Sequence, residues 1–119
     1  MLKVNNLRLG FTSARKTLLA VDGISFEVAA GETFALLGES GCGKSATAQG
    51  IMRLLPANGV ISAGSSIQFA SEELLTLSEA DMRTVRGKRM AMIFQEPGTS
   101  LNPVLTVGRQ IGEVLERHL

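Results

Sequence analysis

Three glycines, Gly38, Gly41 and Gly43, run directly into Lys44 and Ser45. The stretch GESGCGKS, Gly38 to Ser45, satisfies the spacing G-x-x-x-x-G-K-[ST] at every fixed position. Those residue types suit one kind of chemistry, the gripping of a polyphosphate. Backbone N–H groups can surround an anion only where side chains stay clear, and glycine has no Cβ to intrude. A helix that begins there adds its free N–H groups and the positive end of its dipole. Lys44 supplies a mobile cation for the β- and γ-phosphates, and the Ser45 hydroxyl is placed to ligate Mg²⁺. The candidate nucleotide-binding set is Gly38, Glu39, Ser40, Gly41, Cys42, Gly43, Lys44 and Ser45.

Such a loop needs a strand before it and a helix after it. Thr33 to Leu37 is a short apolar run that predicts a buried strand, and Ser45 to Leu55 carries Ala48, Ile51, Met52 and Leu55 at helical spacing. Upstream, Lys3 to Phe11 predicts a strand, Thr12 to Thr17 a loop tip, and Leu18 to Val28 a second strand. In the latter, Ile24, Phe26 and Val28 alternate with Ser25, Glu27 and Ala29. That alternation fits an antiparallel sheet with one wet face. Ala30-Gly31-Glu32 turns the chain toward the loop.

Downstream, Pro56 and Gly59 are expected to end the helix. Gly64 to Ala70 predicts a short strand, with Ile67 and Phe69 in alternation. Ser78 reads as an N-cap with Asp81 three residues on, and Gly87 as the residue that closes that helix. Arg89 to Phe94 (RMAMIF) predicts a buried parallel strand, Glu96 to Pro103 a loop, and Val107 onward a helix. Val107, Ile111, Val114, Leu115 and Leu119 share one side of that last helix.

Composition excludes several functions. Lys plus Arg number 12 against 11 for Asp plus Glu, and Phe is the only aromatic type. Neither a basic footprint nor a stacking platform for nucleic acid is present. No apolar run approaches the roughly 20 residues of a membrane span. The single cysteine, Cys42, excludes an internal disulfide and fits a reducing cytosol, and one Cys with one His is too few for a zinc site.

Two further runs narrow the reading. AVDGISFEV followed by GE precedes the phosphate loop, and MIFQEPGTSLNP follows it, just after Arg86-Gly87. Together they resemble the ATPase subunit of an ABC transporter, within the oligopeptide, dipeptide and nickel importer branch, over essentially all 119 residues. The resemblance implies an α/β fold: a partial P-loop NTPase core with an antiparallel β-subdomain. It implies that Lys44 meets phosphate and Ser45 meets Mg²⁺. Gln95 becomes the Q-loop glutamine, a catalytic residue near Mg²⁺ and the attacking water. Phe11 is the candidate for the aromatic that stacks on adenine. Ala46 stands where many relatives carry a hydroxyl for the α-phosphate, so its backbone N–H is left to serve. Gly98 stands where close relatives have Met.

The resemblance also implies partners: transmembrane permease subunits contacted through Gln95 to Pro103, and a second ATPase subunit. Its setting would be the cytoplasmic face of the cell membrane, with ATP and Mg²⁺ as cofactors and peptides or related solutes as cargo. The family's signature motif, its acidic strand with the catalytic Glu, and its switch His are not found among residues 1–119. The chain is therefore expected to be the N-terminal part of a nucleotide-binding domain, truncated before the signature motif, that binds nucleotide without hydrolysing it. The alternative is a non-catalytic docking module for a membrane subunit. Glu96 is expected to be a solvated loop or interface residue, and His118 an exposed helix-end histidine.

Overall fold

The computed structural model describes residues 1–119, apart from the side chain of Pro97. The chain divides into two units, Met1–Leu77 and Ser78–Leu119.

The first unit is built on β1, Leu2–Ser13, which pairs antiparallel with β2, Lys16–Val28. On its other edge β1 carries β3, Gly59–Ile61, and then β4, Ser66–Phe69, which in turn pairs with the two-residue β5, Glu72–Glu73. Both expected sources of the antiparallel sheet, the first thirty residues and Gly64 to Ala70, thus supply it. The predicted loop tip at Thr12 to Thr17 narrows to Ala14-Arg15, because Thr12 pairs with Thr17 and Ser13 with Lys16.

The core side of β1 holds Val4, Leu7 and Leu9, all fully buried. A strict two-residue period would carry Val4 to position 6. Asn6 instead takes a left-handed φ of +47°, and the register with β2 shifts between Val4 and Leu7. This is the effect of a bulge: one extra residue returns the next apolar side chain to the buried face. Val21, Ile51, Met52, Ile67 and Leu74 complete the buried apolar set of this unit. Helix α1, Lys44–Ile51, lies close over β1, since a Cβ on Gly50 would come within 2.7 Å of Leu9 Cδ2.

Helix α1 ends at Ile51, earlier than the predicted Leu55. Arg53 stops it by adopting φ +52°, with Arg53 N donating to Gly50 O at 3.1 Å and Leu54 N to Gln49 O at 2.8 Å. That bond pair is a Schellman closure, which ends a helix without proline.

The predicted strand at Thr33 to Leu37 is not formed. The segment is exposed and belongs to no ladder. Phe34 stacks on Phe26, with ring centroids 4.9 Å apart. A parallel strand needs neighbours to bond its N–H and C=O groups, and the sheet of this unit is assembled from β1 to β5 without it.

The second unit contains α2, Glu79–Val85, a single turn α3, Pro97–Ser100, and α4, Val107–His118. Ser78 caps α2 as expected, accepting from Asp81 N at 3.1 Å, and Gly87 follows its end at φ +83°. The predicted strand at Arg89 to Phe94 is also not formed. Met90 N donates to Val85 O at 3.0 Å and Met90 O accepts from Gly87 N at 2.7 Å, so its backbone is already committed to the end of α2. Only a single bridge, Arg86 with Met90, remains of the run, and Ile93 and Phe94 are exposed. The loop expected over Glu96 to Pro103 contains the turn α3. Thr106 caps α4, which buries no residue, and all five apolar residues expected on one side are exposed. His118 differs from expectation: it is half-buried, and a Cβ on Gly87 would lie 2.7 Å from its Nε2.

Candidate functional site

The loop from Gly38 to Gly43 is irregular and exposed except at the half-buried Gly43, and its geometry follows from its glycines. Gly41 and Gly43 take φ of +82° and +97°, values that side chains resist. Gly43 is also pressed against β2, where an added Cβ would meet Ala20 O at 2.5 Å and Val21 Cγ2 at 3.2 Å. Gly38 faces Cys42 Sγ so closely that a Cβ there would collide with it. Cys42 N donates to Glu39 O at 3.3 Å, which closes the loop.

Gly43 is the N-cap of α1 and provides no side-chain acceptor. The first-turn N–H groups at Lys44, Ser45 and Ala46 therefore have neither an intrahelical partner nor a side-chain cap. They present a patch of positive potential beside the loop. Lys44 folds back over it. Its Nζ donates to Gly38 O, to Glu39 O at 2.8 Å and to Cys42 Sγ at 3.6 Å. An ammonium held by carbonyls and a thiol can exchange these partners for phosphate oxygens.

Ser45 occupies the second helical position and is exposed, where its hydroxyl is open to a ligand. This hydroxyl would help hold a Mg²⁺ that arrives with a nucleotide, which needs no cluster of protein carboxylates. The residues present thus fit Mg-nucleotide: a glycine-lined cradle, an uncapped helix start, one cation and one hydroxyl.

Two supporting residues were not legible as such. Thr47 is 97% hidden, at 3% exposure, and its Oγ1 donates to Gly43 O at 2.8 Å while its N donates to the same oxygen at 2.8 Å. A polar residue four positions after a glycine N-cap was the available signal. Arg53, at the far end of α1, donates from Nη1 to Leu74 O at 3.0 Å and to Leu77 O at 2.8 Å. Nothing local in the sequence marks that role. An open groove of about 460 Å³, lined in part by Arg53, Leu55, Pro56, Ile61 and Leu75, lies at that same end and includes no loop residue.

Of the other expected site residues, Phe11 is half-buried within the sheet, opposite Leu18 on β2 and Gly59 on β3. Gln95 belongs to the second unit and is exposed, as is its neighbour Glu96. No helix among the described residues is long and apolar enough to cross a membrane.

Comparison with known proteins places this architecture. The family model for ABC transporters matches residues 21–118. The dipeptide transport ATP-binding protein DppD of Bacillus subtilis is 51% identical over 99% of this chain and 35% of its own length. The oligopeptide transport ATP-binding protein AppD of the same organism is 48% identical over 99% of the chain and 36% of its own length. The peptidoglycan transport ATP-binding protein YejF of Agrobacterium fabrum is 48% identical, with 22% of its length covered. The chain thus spans about a third or less of these relatives, 35%, 36% and 22%. A glycine-rich loop leading into α1, an antiparallel sheet in the same unit and a family match across residues 21–118 lead to one assignment: the chain belongs to the ABC transporter family, whose ATPase domains bind nucleotide.

Proposed function

We propose that this chain is the N-terminal part, residues 1–119, of the nucleotide-binding domain of a peptide-type importer, and that it binds Mg-ATP through Gly38 to Ala46. The observation that carries the reading is Lys44. Its ammonium is drawn onto the loop beside an uncapped helix start, so cation and N–H donors converge where phosphates would lie. Lys44 contacts the β- and γ-phosphates. The N–H groups of Gly41, Gly43, Lys44, Ser45 and Ala46 ring the phosphate chain, with Gly38, Glu39, Ser40 and Cys42 shaping the loop. Ser45 ligates Mg²⁺.

In the longer protein, Gln95 would help hold Mg²⁺ and the attacking water, and Phe11 would stack on adenine. The segment Gln95 to Pro103 contacts the permease subunits, a second ATPase subunit completes the site, and hydrolysis drives uptake of peptides or related solutes at the cytoplasmic face of the membrane. The names of the similar proteins, all ATP-binding proteins for dipeptide, oligopeptide or peptidoglycan transport, support this branch. Calorimetric titration of the chain with ATP tests the core of the proposal. Binding that weakens when Mg²⁺ is chelated is expected, and no heat of binding at millimolar ATP overturns it.

A further inference from the structure

Arg53 combines three features that a surface arginine does not need. It is an L-residue at φ +52°, where glycine is the usual occupant. It is half-buried. Its Nη1 donates to two main-chain carbonyls, Leu74 O and Leu77 O, on the segment that leaves the sheet. Leu77 is the last residue of the first unit, so the second of these bonds fixes the final carbonyl before the chain passes into Ser78.

The other end of the same helix is the phosphate loop. Helix α1 has 8 residues, from Lys44 to Ile51, and spans about 12 Å at 1.5 Å per residue. Its N-terminus carries the uncapped N–H groups and its C-terminal closure carries Arg53. A two-turn helix moves as a rod. Any shift or rotation that accompanies filling of the loop displaces the guanidinium at the other end, and with it the two carbonyls. Charge-assisted bonds to carbonyls are strong enough to transmit such a displacement.

We propose that Arg53 is a positioning residue that couples nucleotide occupancy at the start of α1 to the backbone of the exit segment Leu74–Leu77. The coupling rests on the nucleotide-binding reading above but assigns a role to a residue outside the loop. It predicts that nucleotide slows exchange in residues 74–81 although none of them belongs to the loop. The tie, not the helix ending, is responsible, because the Schellman closure is made by backbone bonds that survive loss of the guanidinium.

Hydrogen–deuterium exchange on the chain, with and without Mg-ATP, tests this. In the wild type, nucleotide should slow exchange in the loop, residues 38–47, and in residues 74–81. Arg53→Gly keeps the left-handed backbone and removes the tie, and Arg53→Asn, also tolerant of that backbone, does the same. Each should bind nucleotide within about threefold of wild type and keep the protection of the loop, while protection of residues 74–81 falls to the nucleotide-free level. Should one variant not fold, the other decides. Undiminished protection of residues 74–81 in either variant overturns the coupling, as does its absence in the wild type when the loop is protected. No protection of the loop in the wild type overturns the nucleotide-binding reading and the coupling with it.

Discussion

Thr47 is bonded twice to Gly43: its hydroxyl and its backbone N–H both donate to the Gly43 carbonyl at 2.8 Å. The carbonyl oxygen has two lone pairs, and both are used within the first turn of α1. This fixes the peptide that follows Gly43, the loop glycine with the largest positive φ. Thr47→Val keeps the shape and removes the hydroxyl bond. It should lower stability by about 0.5–1.5 kcal/mol, read as a shift of the urea midpoint with unchanged slope. An unaltered midpoint would show that the second bond contributes nothing.

In the proposed site Lys44 is the mobile cation. Lys44→Ala should weaken ATP binding by roughly ten- to a hundredfold, the equivalent of about 1.5–3 kcal/mol for hydrogen bonds to a charged group. Calorimetric titration with Mg-ATP measures it. Equal affinities in wild type and variant would remove Lys44 from the site.

Cys42 is exposed, and its Sγ lies under Gly38 and 3.6 Å from Lys44 Nζ. Bound phosphates would draw Lys44 away and cover the thiol. A maleimide should therefore label Cys42 readily in the free protein and several-fold more slowly at saturating Mg-ATP. Mass spectrometry of the labelled peptide gives the ratio, and a ratio of one counts against phosphates above Cys42.

Glu73 caps the 3₁₀ turn Leu74–Thr76 and accepts from Ser66 Oγ, Ile67 N and Leu75 N. Burial by itself would raise its pKa, but the three hydrogen bonds together outweigh burial and hold the carboxyl below its ordinary value of 4.5. A depressed folded pKa means that the unfolded chain takes up the proton first. The stabilisation is present above pH 4.5 and is lost as pH falls through the folded value. Glu73→Gln should lower the melting temperature at pH 7, and the gap from wild type should shrink as the medium is acidified below that point. A gap that stays constant with pH would assign the loss to geometry instead of charge.

The loop and the helix start after it were readable because their signal is local: four residues at fixed offsets, Gly38, Gly43, Lys44 and Ser45, mark the turn into α1. The antiparallel strands were readable from alternation, as Ile24, Phe26 and Val28 show. The runs Thr33 to Leu37 and Arg89 to Phe94 misled because a continuous apolar stretch reports only a tendency to be buried. Whether such a stretch becomes a strand depends on ladder partners far away in sequence. Arg53 and Asn6 were opaque for another reason. Each takes a left-handed backbone conformation with no glycine to mark it, Arg53 in the backbone closure that ends α1 and Asn6 in the bulge against β2.

The position of β1 at the centre of the sheet also shapes how the protein emerges from the ribosome. Its first edge is satisfied at once, by the hairpin with β2. Its second edge must wait for residues that are made much later, because Leu2 pairs with Phe69 and Val4 with Ile67. At roughly 5–20 residues per second, the nascent hairpin carries an open edge and an uncovered apolar face for several seconds. During that interval it is a target for chaperones and for pairing with neighbouring chains. Codon choice between β2 and β4 would then govern the yield of folded protein without altering a single residue.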